Sequence, residues 1–118
     1  MRVFKILIIV MTLISCESDK DKIRRLISSD NKDEVVKGYY LIGEQRDRTF
    51  ITDVFTNPYD PRISHHIKFK GISVYQSKMI AMKKITEMEP PSEITYKPDT
   101  AVVNFYYTWA KEEGYINE

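Results

Sequence analysis

The sequence predicts an all-α domain of about five helices, and three observations carry that prediction. Apolar residues recur at i, i+3 and i+4 through most of the chain beyond residue 20. Residues that start and stop helices bracket those stretches. A pattern around Val35 returns around Val74, close to 40 positions on, which is a spacing expected of repeated helical hairpins.

The first helix is expected over Asp21 to Ser29, with Ile23, Leu26 and Ile27 at helical spacing, and Asp30-Asn31-Lys32 breaks it. The second starts near Asn31, and Glu34 stands three residues later, where a reciprocal cap requires it. Val35, Val36, Tyr39, Tyr40 and Ile42 give this helix a broad apolar face. Gly38 and Gly43 lower its intrinsic propensity. Gly38 suits a close approach of two helices, and Gly43 suits either that role or a terminator. Arg46 and Arg48 beside Asp47 read as the turn into the next helix, although their charges could also select an acidic partner.

Phe50, Ile51, Val54 and Phe55 define the third helix, Arg48 to Thr56. Asn57-Pro58-Tyr59-Asp60-Pro61 must end it, because proline lacks an amide donor and restricts its predecessor. In the insertion 57–71, Asp60-Pro61 could cap a short helix, while Ile67-Lys68-Phe69-Lys70 alternates as a strand does. The reading favours an ordered loop with one helical turn. Ser73 and Gln76 then form a capping box, and the fourth helix runs to about Glu87. Val74, Ser77, Ala81, Ile85 and Met88 lie on one face, and Tyr75, Met79 and Met82 on a neighbouring one. Two apolar faces predict a central helix covered on both sides. Pro90-Pro91 ends it. The last helix starts at Asp99, buries Val102, Val103, Phe105, Tyr106, Trp109 and Ala110, and stops at Gly114, with Tyr115-Ile116 folding back on the body. Phe50 and Phe55 are assigned to the same core.

Val35-x-x-Gly38-x-x-x-Ile42 aligns with Val74-x-x-Ser77-x-x-x-Ala81 at an offset of 39, and Ile42 aligns with Met82 at 40. On these residues, over roughly Asp21 to Glu87, the chain resembles HEAT repeats. The resemblance implies a short HEAT-like α-solenoid with a nonstandard C-terminal helix, occupying 23–118. Lys83 stands where the family often has glycine, and the 57–71 insertion is longer than the family needs. Two units fall below the usual three of a self-supporting solenoid, so the last helix must act as a cap or the protein must associate.

Ahead of this domain, MRVFKILIIVMTLISC has a basic head at Arg2 and Lys5 and a nine-residue apolar stretch, Ile6 to Ile14, broken only by Thr12. A basic start, a short apolar middle and small closing residues describe a signal peptide, 1–15. The stretch is too short to span a bilayer, which needs about 20 residues. Leu13-Ile14-Ser15-Cys16 resembles a bacterial lipobox. That resemblance implies cleavage before Cys16, lipidation of its thiol and acylation of its new amine. Glu17 in place of aspartate resembles lipoproteins sorted to an outer rather than an inner membrane. The run 16–22, Cys16 to Lys22, reads as a charged tether. As the chain's one cysteine, Cys16 forms no intramolecular disulfide.

Removing Met1 to Ser15 leaves 103 residues and takes away Arg2 and Lys5 but no acid, so the formal charge falls from +1 to −1. The slight basicity thus belongs to the leader, and no basic stripe predicts nucleic-acid binding. His65 and His66 are adjacent and point apart in either a helix or a strand, so they do not predict a metal site. Ser64, His65 and Ser73 lack an acid to orient them, and no nucleophile motif appears. Glu87/Glu89 and Glu112/Glu113 read as wet surface. No phosphate loop or dinucleotide fingerprint is present. The expectation is a protein without catalytic residues or a cofactor.

Eight tyrosines favour an interface, since tyrosine offers both a ring and a hydroxyl. Tyr59, Arg62, His65, His66, Lys68 and Lys70 are the candidate partner-binding residues. Either the helical groove or the 57–71 insertion could hold a protein partner. The leading expectation is a lipid-anchored protein-binding module of the bacterial envelope. Lipid anchoring with such a fold also resembles immunity lipoproteins that neutralise toxins. A structural envelope lipoprotein and a small hydrolase are the other classes.

Overall fold

The computed structural model describes residues 18–117, so the signal peptide and the lipidation expected at Cys16 lie outside the described residues. The chain forms α1 (Asp19–Ile27), α2 (Lys32–Gln45), a 3₁₀ turn (Arg48–Phe50) running into the short α3 (Ile51–Val54), α4 (Val74–Thr86) and α5 (Thr100–Glu112). Among the described residues there is no β-sheet, only an isolated antiparallel bridge between Ile63 and Ser73. No described helix is long and apolar enough to cross a membrane.

α1 begins two residues earlier than its apolar spacing suggests. The Ser18 hydroxyl accepts from the Asp21 amide (3.2 Å), and Asp19 and Asp21 sit in the first turn, where carboxylates favour the helix dipole. Asp19 to Lys22, within the run read as a charged tether, are therefore helical.

α2 is capped by Asn31 as expected, but its Oδ1 takes the Asp33 amide (2.9 Å), and no reciprocal bond involves Glu34. The two glycines of α2 mark two close approaches. A Cβ on Gly38 would lie 2.6 Å from Ile27 Cγ2 on α1, and one on Gly43 would lie 3.1 Å from Ala81 Cα on α4. Gly43 thus packs rather than terminates. The helix ends two residues later in a Schellman turn, with bonds from Arg46 N to Gly43 O (3.2 Å) and from Asp47 N to Ile42 O (3.1 Å). Asp47 then caps the 3₁₀ turn through Thr49 N (3.0 Å), confirming the turn read at Arg46 to Arg48.

α4 carries the capping box read from the sequence. Ser73 Oγ accepts from Gln76 N (3.0 Å), and Gln76 Oε1 accepts from Ser73 N (3.4 Å). Both its apolar faces are buried, through Val74, Ser77, Ala81 and Ile85 and through Tyr75, Met79 and Met82. Met88 lies past the helix end and is exposed. The core joins these side chains to Ile23, Val36, Tyr39, Ile42, Phe50, Ile51, Val54, Val102 and Tyr106. Phe55, Phe105 and Trp109 are half-buried against it.

α5 starts at Asp99 and stops at Gly114 (φ +84°). Its end is a second Schellman turn, with Gly114 N bonded to Lys111 O (3.1 Å) and Tyr115 N to Ala110 O (2.9 Å). Tyr115 stacks on Trp109 with ring centres 5.6 Å apart. Its hydroxyl accepts from Arg48 Nη1 (2.9 Å), so the chain folds back as expected.

Candidate functional site

The insertion is an ordered loop, and its order begins at Asp60. No short helix starts there. The buried Asp60 carboxylate instead accepts from the Arg62 amide (3.1 Å), from Nε (3.0 Å) and from Nη2 (2.8 Å). Burial pushes the Asp60 pKa up, but the Arg62 bonds and the charges of Arg62 and Lys78 outweigh it and hold the carboxyl below its ordinary value. Arg62 Nη1 also reaches Asp30 O (3.2 Å). The Asp60 and Arg62 carbonyls accept the Tyr75 and Val74 amides (2.8 and 2.9 Å), two donors that the first turn of α4 leaves free.

Beyond the Ile63–Ser73 bridge the loop closes on itself, with Ser64 N bonded to Ile72 O (2.8 Å) and Gly71 N to Ser64 O (3.0 Å). A turn from His66 to Phe69 (2.9 Å) forms its tip, and no strand develops from Ile67 to Lys70. Asp33 on α2 fastens the tip: its Oδ1 accepts from Ser64 Oγ (2.8 Å) and from His65 N (2.9 Å). Those bonds, aided by the charge of Lys32, lower the Asp33 pKa. Phe69 is buried with its ring 5.2 Å from that of Tyr40. With Phe69 turned inward, Ile67 is 90 % exposed.

The candidate residues therefore divide. His65, His66, Lys68 and Lys70 are exposed together on the tip. Arg62 is committed to Asp60 and Asp30. Tyr59, 39 % exposed, lies near Tyr75, whose hydroxyl pKa is raised chiefly by burial against a lowering contact with the Asp99 main chain, with smaller upward pushes from the Asp99 charge and from Tyr59. The Tyr75 hydroxyl is enclosed and has no hydrogen-bond partner among the described side chains and main chain. Among the described residues, no three His, Cys, Asp or Glu side chains converge as a metal site would require.

Lys78 escaped the sequence reading. Only 5 % exposed on α4, it donates through Nζ to Thr56 O (2.8 Å) and Asn57 O (3.0 Å). Nζ also lies 5.1 Å from the centre of the Tyr39 ring. Burial lowers its pKa to about 8 against the pull of Asp60. The signal was present: Lys78 falls between Tyr75 and Met82 at helical spacing, a register that leads inward.

Besides an open groove of about 760 Å³ that Arg46, Ile80, Lys83, Glu87, Pro90 and Ile94 help line, two more flank the body. One, of about 430 Å³, is lined by Met88, Pro91, Phe105 and Trp109, with Asn104 and Thr108 among its polar wall residues. The other, of about 360 Å³, lies where α1, α2 and the loop tip meet, and Lys22, Arg25, Lys37 and His66 line it with Asp33 and Glu34. Glu87, Glu89, Glu112 and Glu113 are exposed, and Glu87 and Glu89 pair with Arg46 and Lys83. No family model, curated protein or solved structure matches this chain.

Proposed function

We propose that this chain is a lipid-anchored protein-binding module of the bacterial cell envelope, built on two HEAT-like helical pairs. The leader and the Leu13-Ile14-Ser15-Cys16 sequence support the anchor. The repeat reading draws support from the caps of α2 and α4, Asn31 and Ser73, which stand 42 positions apart, and from their terminal residues Arg46 and Glu87, 41 apart. The insertion departs from a simple repeat, and α5 serves as the cap of the second pair.

The observation that carries the binding reading is the groove on α5. It presents Trp109, Phe105 and Met88 at the surface, residue types enriched where proteins meet. Asn104 and Thr108 are exposed on its wall, so arginine at both would fill the groove without entering the core. Capture from native envelopes with wild type, with Asn104→Arg/Thr108→Arg and with His65→Ala/Lys68→Ala tests it, each fold checked by circular dichroism. A stoichiometric partner lost only from the groove variant supports the reading. Absence of any specific partner from the wild-type capture overturns it. In parallel, an alkyne fatty acid fed to cells is expected to label the wild type and not Cys16→Ser.

A further inference from the structure

The loop tip and the α5 groove complement each other and lie at opposite ends of the domain. We propose that the chain pairs head to tail with a second copy of itself, the tip 65–70 of one copy seating Ile67 in the α5 groove of the next. This pairing rests on the reading of that groove as a protein-binding surface and names an occupant for it.

The two surfaces do not meet within one chain. α2 and α4 run side by side in one direction, since Gly43 packs on Ala81 and their ends meet at Arg46 and Glu87. The tip sits at the start of both helices. Asp33, in the first turn of α2, holds Ser64 and His65, and Ile63 bridges Ser73, the cap of α4. The groove sits where both helices finish. Met88 and Pro91 follow the end of α4 and line it, and the Trp109 ring centre lies 5.8 Å from the guanidinium carbon of Arg48, just past α2. The 13 residues of α4 span about 20 Å between the two ends. α1 also starts at the groove end, where Lys20 Nζ donates to Thr49 Oγ1 (2.7 Å). Copies anchored through Cys16 in one leaflet therefore pair with α2 and α4 lying along it.

Shape and charge agree on the pairing. Ile67 is 90 % exposed on a loop that the Asp33 bonds and the buried Phe69 already hold in place. Seating it therefore removes apolar surface from water at little ordering cost. His65, His66, Lys68 and Lys70 are exposed around it, and from Pro61 to Thr86 the chain has no Asp or Glu. Met88, Phe105 and Trp109 line the groove, and Glu112 is its one charged lining residue among the described residues. A basic knob thus meets an apolar groove edged by an acid, the complementarity that selects one pairing over others. Symmetric pairings lack it. Two tips bring like charges together, and two grooves offer nothing to fill either. The contact is heterologous, so each pair leaves one tip and one groove unused. Further copies add at those ends, and the groove of the last copy stays open to a different protein.

The test uses the full chain purified from membranes in detergent, with sedimentation giving the protein mass of each particle and circular dichroism checking the fold. Wild type is expected to gain mass as its concentration rises. Ile67→Asp, which spoils the tip, and Asn104→Arg/Thr108→Arg, which fills the groove, are each expected to stay at the mass of one chain. Mixed in equal amounts, they are expected to reach twice that mass and no more, because one intact tip and one open groove remain between them. Association that survives in either variant alone overturns the pairing, as does a mixture that stays at the mass of one chain. A wild type that stays monomeric overturns it too. An envelope protein captured through the groove then leaves the binding reading standing, and failure to capture one sinks both.

Discussion

Arg46 and Glu87 end neighbouring helices, both in the left-handed region (φ 50° and 58°), and their side chains form an ion pair across the ends of α2 and α4. Neither is glycine, the residue that adopts this conformation without steric cost. Both ends obtain their closing hydrogen bonds at that cost, Arg46 to Gly43 O and Glu87 to Lys83 O.

Substitution at Arg46 separates strain from charge. The pair is exposed on both sides, so losing it costs at most about 1 kcal/mol, while a left-handed non-glycine residue costs about 1–2 kcal/mol. Arg46→Gly is expected to lie within about 1 kcal/mol of wild type, on the stabilising side. Arg46→Val, which adds β-branching, is expected to be the least stable of the three. Urea unfolding gives the order, and a valine variant as stable as the glycine one sinks the argument.

The glycines of α2 are expected to respond unequally. Alanine favours a helix over glycine by about 1 kcal/mol. At Gly38 the new Cβ meets Ile27 Cγ2 at 2.6 Å and Ile27 N at 3.3 Å, a branched side chain and main chain that yield little. Gly38→Ala is expected to cost about 1–3 kcal/mol net. At Gly43 the nearest atoms stand at 3.1 and 3.2 Å, so propensity offsets most of the strain. Thermal unfolding checks the prediction: Gly43→Ala stays near wild type and Gly38→Ala melts well below it.

Lys78 gives the protein an alkaline rise in stability. Its folded pKa is lowered to about 8, chiefly by burial, while an unfolded lysine keeps its proton to about 10.4. Between those values the unfolded chain binds the proton that the folded chain has released, so stability climbs with pH. Above about 10 the sign reverses. Burial raises the Tyr39 and Tyr106 pKa values, the unfolded tyrosines ionise first, and stability is lost as pH rises further. Urea midpoints from pH 7 to 11 are expected to peak near 10. Lys78→Met removes the climb and, by stranding the Thr56 and Asn57 carbonyls, costs about 1–3 kcal/mol at pH 7. A wild-type profile flat from 8 to 10 contradicts the assignment.

Asp33→Ala releases the loop tip without opening the core. Ser64 Oγ and His65 N lose their acceptor, while Phe69 stays buried. Trypsin is expected to cut after Lys68 or Lys70 faster than in wild type, with little change in the global melting temperature. Equal cleavage rates would mean that the tip is held by Phe69 and its main-chain bonds alone.

The capping box at Ser73 and Gln76, the two-faced α4 and the stop at Gly114 were legible in the sequence because each depends on residues within a turn or two of one another. Where the reading failed, a distant or competing partner decided. Asp60 had the form of a helix cap, but Arg62 captured its carboxylate. Asn31 reached Asp33 and left Glu34 without its reciprocal role. Gly43 declared itself only against Ala81, on another helix. The helical spacing of Tyr75, Lys78 and Met82 places Lys78 inward, but the two carbonyls that receive its ammonium, of Thr56 and Asn57, come from a distant segment. His65, His66, Lys68 and Lys70 are exposed together on the tip, and Ile67, the most exposed large apolar side chain among the described residues, stands beside them although its apolar character gave no reason to expect it in water.

The bond from Arg48 to Tyr115 joins positions 67 residues apart, and Tyr115 also stacks on Trp109 while its carbonyl accepts from Thr52 (3.4 Å). This corner cannot close while Tyr115 is still inside the ribosome, so the 3₁₀ turn and α3 wait for the far end of α5 before they gain their final cover. Placing a late-made tyrosine as the brace for an early segment builds that delay into the order of synthesis.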